Sequence, residues 1–236
     1  MDIDHRPLGK SEILGRHEFF RELPPHALQQ LASHARQQAF SPGQRIFSKG
    51  DAGHGLLAVV SGVVKISVPG EDGREIVLNL IPPNEIFGEI ALLDGKPRTA
   101  DAIALTACQL LVLDRRDFIP LIAEVPVIAV QLLEIISGRL RRTTEQVEDM
   151  YFGNLQARLA KALLRLAEIQ GVSGDPHPRV TITQKELGFS VGLSRESTNR
   201  YLREWAHAGY VTLEKGTCIL NRPECIVKFS RPEPLG

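Results

Sequence analysis

The feature that most constrains the fold is an apolar repeat near the middle of the chain. In PVIAVQLLEIISGRLRRTTEQVEDMY (126–151), Leu133, Ile136, Leu140, Thr143, Val147 and Met150 step by 3, 4, 3, 4 and 3. That spacing lays side chains along one stripe of a helix, as in a coiled-coil seam. Pro126 suits the first turn of such a helix. The stripe could pack on its own domain or pair with a second copy. A seam over three heptads, with arginines and acids elsewhere on the helix, favours pairing. Thr143 is the polar member, and a hydroxyl buried in an apolar seam needs a partner, so it is expected to point at something polar.

The helix separates two segments of different pattern. Residues 11–38 read as one or two short helices, with Leu23, Pro24 and Pro25 as a stop and restart. From Gln44 to about Leu113 the chain turns to short strands broken by turns. These are two β-rich runs around Gly62 (56–68), a run over 74–81 after the turn residues GEDG (70–73), and runs within 100–113. Strands this short with turns this frequent indicate an antiparallel β-roll or barrel rather than βαβ units. After the seam helix come an amphipathic helix (154–170), the loop GVSGDPHP (171–178), then helix, turn, helix and hairpin. The expected architecture is α+β. A β-roll of jelly-roll type occupies 1–125, a long dimerisation helix 126–152, and a winged helix-turn-helix 153–236.

Composition narrows the function class. Hydrophobic residues make up 43% and charged residues 24% of the 236, ordinary for a globular protein, and no apolar stretch approaches the roughly 18–20 residues that span a bilayer. The N-terminus has no apolar h-region, so the expected compartment is the cytoplasm, with no membrane partner. Cys108, Cys218 and Cys225 are too few and too scattered for a disulfide framework, and Cys108 reads as core. No iron–sulfur cluster, structural zinc or other metal is expected. The formal net charge of zero hides an asymmetry: residues 1–152 hold 16 Lys+Arg against 20 Asp+Glu, residues 153–236 hold 12 against 8. A basic C-terminal third is compatible with nucleic acid.

Within that third, ITQKELGFSVGLSRESTNRYLREWAHAGYV (182–211) carries the marks of a DNA reader. Thr183 with Glu186 three residues on forms a capping box, Gly192 supplies a tight turn, and Ser194 caps a second helix that runs to about Ala208 and stops at Gly209. Two short helices joined by a glycine-containing turn make a helix-turn-helix. Arg195, Glu196, Thr198, Asn199 and Arg200 sit near the N-terminal end of the second helix, where base edges are met. Arginine pairs with guanine, glutamate accepts from cytosine, and Ser194 at the helix start suits a phosphate. Tyr201, Leu202 and Trp205 fall on the opposite side as core, and 211–220 reads as a hairpin wing turning at Lys215-Gly216. The partner implied is double-stranded DNA.

In FGEIALLDGKPRTADAIA (87–104), Gly88-Glu89 precedes a short helical turn and Arg98-Thr99 follows nine residues after the glutamate. Amide groups freed at a helix start and one guanidinium make an anion site. The Glu89 carboxylate cannot serve a phosphate but can accept from a ribose hydroxyl. The combination suits a sugar-phosphate.

SRESTNR (194–200) resembles the recognition helix of the CRP/FNR family of bacterial regulators, in particular the cyclic-AMP receptor protein branch, over about residues 20–228. That branch reads DNA with an Arg-Glu-x-x-x-Arg pattern, matched by Arg195, Glu196 and Arg200, which implies TGTGA-type half-sites in an inverted repeat. The FNR branch differs at the first of these positions. The 87–104 motif resembles the phosphate-binding cassette of cyclic-nucleotide-binding domains. That resemblance implies Gly88, Arg98 and Thr99 on the cyclic phosphate and Glu89 on the ribose 2′-hydroxyl. Thr143 and Thr144 align with the two hydroxyl residues that meet adenine, one from each subunit of a homodimer. Cyclic AMP is the first choice of ligand; Thr99 directly after the arginine leaves cyclic GMP, or both, open. A family regulator that answers to another ligand, or to none, is the remaining alternative.

The resemblance also implies RNA polymerase as a partner, with the 171–179 loop expected at that surface. The cysteine cluster of an FNR-type oxygen sensor is absent, and His54, in a Gly-flanked turn, reads as an exposed loop residue rather than a haem ligand. No Ser/His/Asp or Cys/His arrangement, Walker loop or metal triad is present, so the chain is not expected to be an enzyme.

Overall fold

A run of strand that is apolar at successive positions cannot face water on either side, and GLLAVVS (Gly55–Ser61, β3) opens with such a run: its first five residues are buried. In the computed structural model, which describes residues 9–70, 75–152, 154–171 and 174–230, its side chains divide between two cores. Leu57 and Val59 point into the space between two sheets with Val64, Ile81, Phe87, Ala102, Ala104 and Leu110. Leu56 and Ala58 point the other way, into a core shared with Phe19, Phe20, Leu31, Phe118, Leu121, Ile128 and Leu132.

The first of two units comprises residues 1–68 and 79–139. Helices α1 (Lys10–Arg16) and α2 (Pro25–His34) precede the β-roll. One four-stranded sheet has the order β1-β8-β3-β6 and the other β2-β7-β4-β5, from β1 (Arg36–Phe40), β2 (Arg45–Phe47), β4 (Val64–Pro69), β5 (Glu75–Ile81), β6 (Ile86–Phe87), β7 (Asp101–Ala104) and β8 (Cys108–Asp114). The short helix α3 (Glu89–Asp94) follows β6, and α4 (Arg115–Glu124) follows β8.

Two elements here differ from the sequence reading. Residues 36–38, read as the end of a helix, belong instead to a strand over 36–40: RQQAF opens with three polar residues and is almost wholly exposed, and pairing along β8, Arg36 to Val112 through Phe40 to Cys108, makes it a strand. Helix α4 carries Pro120 in its interior, which breaks one ladder bond, yet burial of Phe118 and Leu121 outweighs the break. Most of the turn GEDG, at 71–73, lies outside the described residues.

The seam helix is α5 (Val127–Phe152), 26 residues long. It is shared between the units, with Arg139 the last residue of the first and Leu140 opening the long stretch of the second. Ile128 and Leu132 are buried, whereas Leu133, Leu140 and Met150 are 63%, 67% and 61% exposed. Leu133, Leu140, Val147 and Met150 of the apolar stripe are therefore left largely uncovered by the described residues.

The second unit holds residues 69–78 and 140–236. Its helices are α6 (Leu155–Gln170), α7 (Gln184–Phe189), α8 (Arg195–His207) and α9 (Pro223–Phe229). Strands β9 (Arg179–Thr181), β10 (Val211–Glu214) and β11 (Thr217–Leu220) form one sheet in the order β10-β11-β9. Strand β9 and helix α9 add to the helix, turn, helix and hairpin read from sequence. Asn154 caps α6 by accepting from the Ala157 amide. Gly153, and residues 172–173 of the 171–178 loop, lie outside the described residues. No single described helix is long and apolar enough to cross a membrane.

Candidate ligand pocket and nucleic-acid interface

The pocket motif is built on glycines that leave room for an arginine. Gly88 caps α3 at φ +83°, a conformation glycine adopts without steric cost, and a Cβ there would sit 2.4 Å from Arg98 Nη1. Gly53 is equally constrained, since a Cβ would lie 2.2 Å from that of Ala91 on α3. Into this space Arg98, 8% exposed, donates from Nη1 to the Gly88 carbonyl (2.9 Å) and from Nη2 to the Gly55 carbonyl (2.8 Å).

A guanidinium has five N–H donors, so three remain. One of them, on Nε, is buried with no hydrogen-bond partner. Among the described residues no carboxylate lies within ion-pair distance of Arg98. Burial draws its pKa below the usual arginine value, with the charges of Glu89 and Asp51 pulling the other way; an arginine nonetheless stays protonated at physiological pH. The arrangement is a buried cation with donors to spare, placed beside the first turn of α3, whose opening amides have no intrahelical partners. It can receive an anion.

Glu89, first residue of α3 and 3% exposed, is paired with the Arg139 guanidinium, which also donates to the Ile86 carbonyl. Arg139 is the site residue that sequence reasoning missed. It is one of three arginines at 139, 141 and 142, and nothing in helical spacing alone marks which meets the buried carboxylate. Thr99 is exposed beside Arg98. Thr143 and Thr144 are exposed on the second half of α5, within the second unit, and Thr144 Oγ1 donates to the Leu140 carbonyl of its own helix (3.0 Å).

The nucleic-acid motif is assembled as its caps require. Thr183 and Glu186 form the reciprocal capping box of α7, and Gly192 turns the chain at φ +69°. Ser194 caps α8 by accepting from the Ser197 amide. Arg195, Glu196 and Arg200 are exposed and Asn199 is half-buried. The Arg200 guanidinium lies 4.9 Å from the Tyr201 ring centroid. Leu202 and Trp205 are buried.

Thr198 departs from the expectation that it faces DNA. It is fully buried, its Oγ1 donates to the Ser194 carbonyl (2.9 Å), and it packs where α7 crosses α8. A Cβ on Gly188 would come within 2.3 Å of that oxygen. The reason is periodicity: Thr198, Leu202 and Trp205 step by four and three along one face, and that face is the core.

Comparison with known proteins agrees with both halves. Residues 37–125 match the family described as Cyclic nucleotide-binding domain, and residues 157–224 the Crp-like helix-turn-helix domain. Over 93% of this chain and 99% of the relative, the sequence is 35% identical to a CRP-like cAMP-activated global transcriptional regulator of Mycobacterium tuberculosis. The chain belongs to the CRP/FNR family of transcription regulators.

Identity is also 35% with a Cyclic AMP receptor protein of Thermus thermophilus, over 84% of this chain and 89% of that protein. Among solved structures, a CRP/FNR-family transcriptional regulator from Thermus thermophilus superposes with a TM-score of 0.71 at 25% identity, covering 83% of this chain and 98% of that one. The c-di-GMP responsive regulator CLP of Xanthomonas campestris superposes at 0.73 with 24% identity, over 84% and 99%; this is a likeness of fold. As a CRP/FNR member the chain is a cyclic-nucleotide-binding, DNA-binding transcription regulator and not an enzyme. Cys108 is buried core and His54 is exposed. Among the described residues no group of three or more His, Cys, Asp or Glu could hold a metal ion.

Proposed function

We propose that this CRP/FNR regulator is a homodimer that responds to cyclic AMP and binds an inverted repeat of TGTGA-type half-sites. The observation that carries the ligand half is Arg98: a buried guanidinium with, among the described residues, no carboxylate at ion-pair distance and an uncommitted Nε–H suits the counter-charge of an anion. In this reading Gly88, Arg98, Thr99 and the first amides of α3 hold the cyclic phosphate. Glu89, oriented by Arg139, accepts from the ribose hydroxyl, and Thr143 and Thr144 meet the base. Cyclic AMP is favoured because relatives at 35% identity bear names that say cAMP-activated regulator or cyclic AMP receptor protein. Thr99, exposed beside Arg98, is the feature that keeps cyclic GMP as a second reading.

The dimer rests on the uncovered stripe of α5, where Leu133, Leu140, Val147 and Met150 face solvent in the isolated chain; a stripe of that kind marks an interface. On α8, Arg195, Glu196, Asn199 and Arg200 read bases and Ser194 meets a phosphate. Ligand shifts the balance between two dimer arrangements only by its differential affinity for them. The arrangement it favours sets two recognition helices roughly 34 Å apart, one turn of DNA. The region of the 171–179 loop is assigned to RNA polymerase, and the cytoplasm is the compartment.

Calorimetric titration with cyclic AMP and cyclic GMP, paired with fluorescence-anisotropy binding to a TGTGA-type palindrome at fixed salt, tests the proposal. Cyclic AMP binding that tightens the operator complex supports it. Operator recognition that neither nucleotide changes would leave the helix-turn-helix standing and reject the ligand.

A further inference from the structure

Arg98 is a charge taken out of water, and the atoms around it must compensate for the lost hydration. Two carbonyls accept from its Nη atoms. On one face of the guanidinium, 4.3 Å from the carbon to the ring centroid, lies Phe47. At that distance the ring quadrupole attracts the cation, more strongly where water is excluded. Phe47 is itself backed by Phe87, ring centroids 5.8 Å apart, and Phe87 is 1% exposed in the core between the sheets. The order is thus guanidinium, ring, ring, core.

Backbone hydrogen bonds help bring the two together. Phe47 ends β2 opposite Ala102 of β7. The loop that follows β2 is tied to the arginine itself, Gly50 donating to the Arg98 carbonyl and Arg98 donating to the Asp51 carbonyl, both at 2.8 Å. Strand and loop pairing therefore hold the backbone of residue 47 close to that of Arg98, and Gly88 approaches Nη1 too closely to carry a Cβ. Gly55 has no room for a side chain, since a Cβ would lie 2.5 Å from the Leu113 carbonyl oxygen.

We propose that Phe47 is the positioning residue of the anion site, holding Arg98 through its π face so that the uncommitted donors are aimed before ligand arrives. The inference rests on the reading of Arg98 as the phosphate-binding cation and adds to it a residue that the cassette motif does not contain. An aliphatic side chain at 47 could fill the volume but would leave the buried cation with its two carbonyls and the charges of Glu89 and Asp51, none of which packs on the face of the guanidinium. The guanidinium would then sample other rotamers, and binding would have to reorder it.

The test separates the ring's electrons from its bulk, using the full-length protein. Phe47 is replaced by Leu, by Trp, and by a series of increasingly fluorinated phenylalanines that keep the shape while withdrawing the quadrupole. Two readouts are taken: the NMR order of the Arg98 Nε–H in the nucleotide-free protein, and the Kd for cyclic AMP. Far-UV circular dichroism checks that each variant is folded. Phe47→Leu is expected to loosen Arg98 and weaken cyclic AMP by about 2- to 30-fold, the range spanned by cation–π pairs from exposed to desolvated. Phe47→Trp is expected to retain both, and the fluorinated series to fall steadily with ring electron density. Unchanged Arg98 order in folded Phe47→Leu, or a flat fluorinated series, overturns the proposal. If the native protein fails to bind cyclic AMP while Arg98 order still follows the ring, the ligand assignment falls and the positioning role stands.

Discussion

Acidification should weaken the first unit through one residue outside both functional sites. His17 is 2% exposed, its ring 5.1 Å from that of Phe20, and its Nδ1 accepts from the Phe19 amide (3.3 Å). Burial pushes its pKa from 6.5 down to about 4, against a smaller opposing pull from the Glu85 backbone. Above pH 6.5 the ring is neutral in folded and unfolded chains alike, and its contribution is fully present. Below that, the unfolded chain takes up a proton that the folded one refuses, so stability is lost as pH falls from 6.5 toward 4. At about 1.36 kcal/mol per pH unit the loss reaches roughly 2.5 kcal/mol by pH 4.5 and about 3 kcal/mol below 4. That is a large share of the roughly 5–15 kcal/mol of a typical domain. Trp205 belongs to the second unit, so tryptophan fluorescence would report the wrong half. The assay is hydrogen exchange of amides between Leu14 and Leu31 at several pH values, in the native protein and in His17→Asn, which keeps an acceptor for Phe19 but does not titrate. The variant should lack most of the acid loss. Equal pH dependence in both proteins would refute the reasoning, because the carboxylates common to both would then account for all of it.

Glu89→Gln should weaken cyclic AMP binding and cost about 3 kcal/mol of stability, the scale for removing one partner of a buried ion pair. A urea-unfolding cycle that includes Arg139→Gln should show the double variant losing less than the two singles together. Gly88→Ala should abolish nucleotide binding by calorimetry, since the added Cβ must displace the Arg98 guanidinium at a backbone φ that alanine resists. Arg200→Ala should weaken operator binding by about 1–3 kcal/mol and relax one base position. Thr198→Val should leave base discrimination intact and cost about 1 kcal/mol of folding stability for a lost hydrogen bond; anisotropy with single-base operator variants distinguishes the two. Leu140→Asp places a charge in the α5 stripe and should yield monomer by sedimentation velocity at concentrations where the native chain is expected to sediment as the proposed dimer.

Some features of this fold rest on local rules alone. The α5 repeat, the Thr183–Glu186 box, the Ser194 cap and the turns at Gly192, Gly209 and Gly216 were all legible, because helix periodicity and capping depend on residues within a turn or two of one another. The 87–104 segment reads as an anion site for the same reason, since a glycine, a helix start and an arginine lie within eleven residues, Gly88 to Arg98; its reading as a cyclic-nucleotide cassette comes from resemblance. Tertiary structure decided everything that depends on what a residue meets across the fold. The polar strand β1 exists because β8 is there to pair with it, and α4 survives Pro120 because its buried residues reach a core. Thr198 looks like its exposed neighbours in the string SRESTNR, yet α7 covers it. Arg139 became the partner of Glu89, and Phe47 the platform of Arg98, only when strands and helices distant in sequence were brought to one place. A side chain's surroundings are a property of the fold, and no local spacing encodes them.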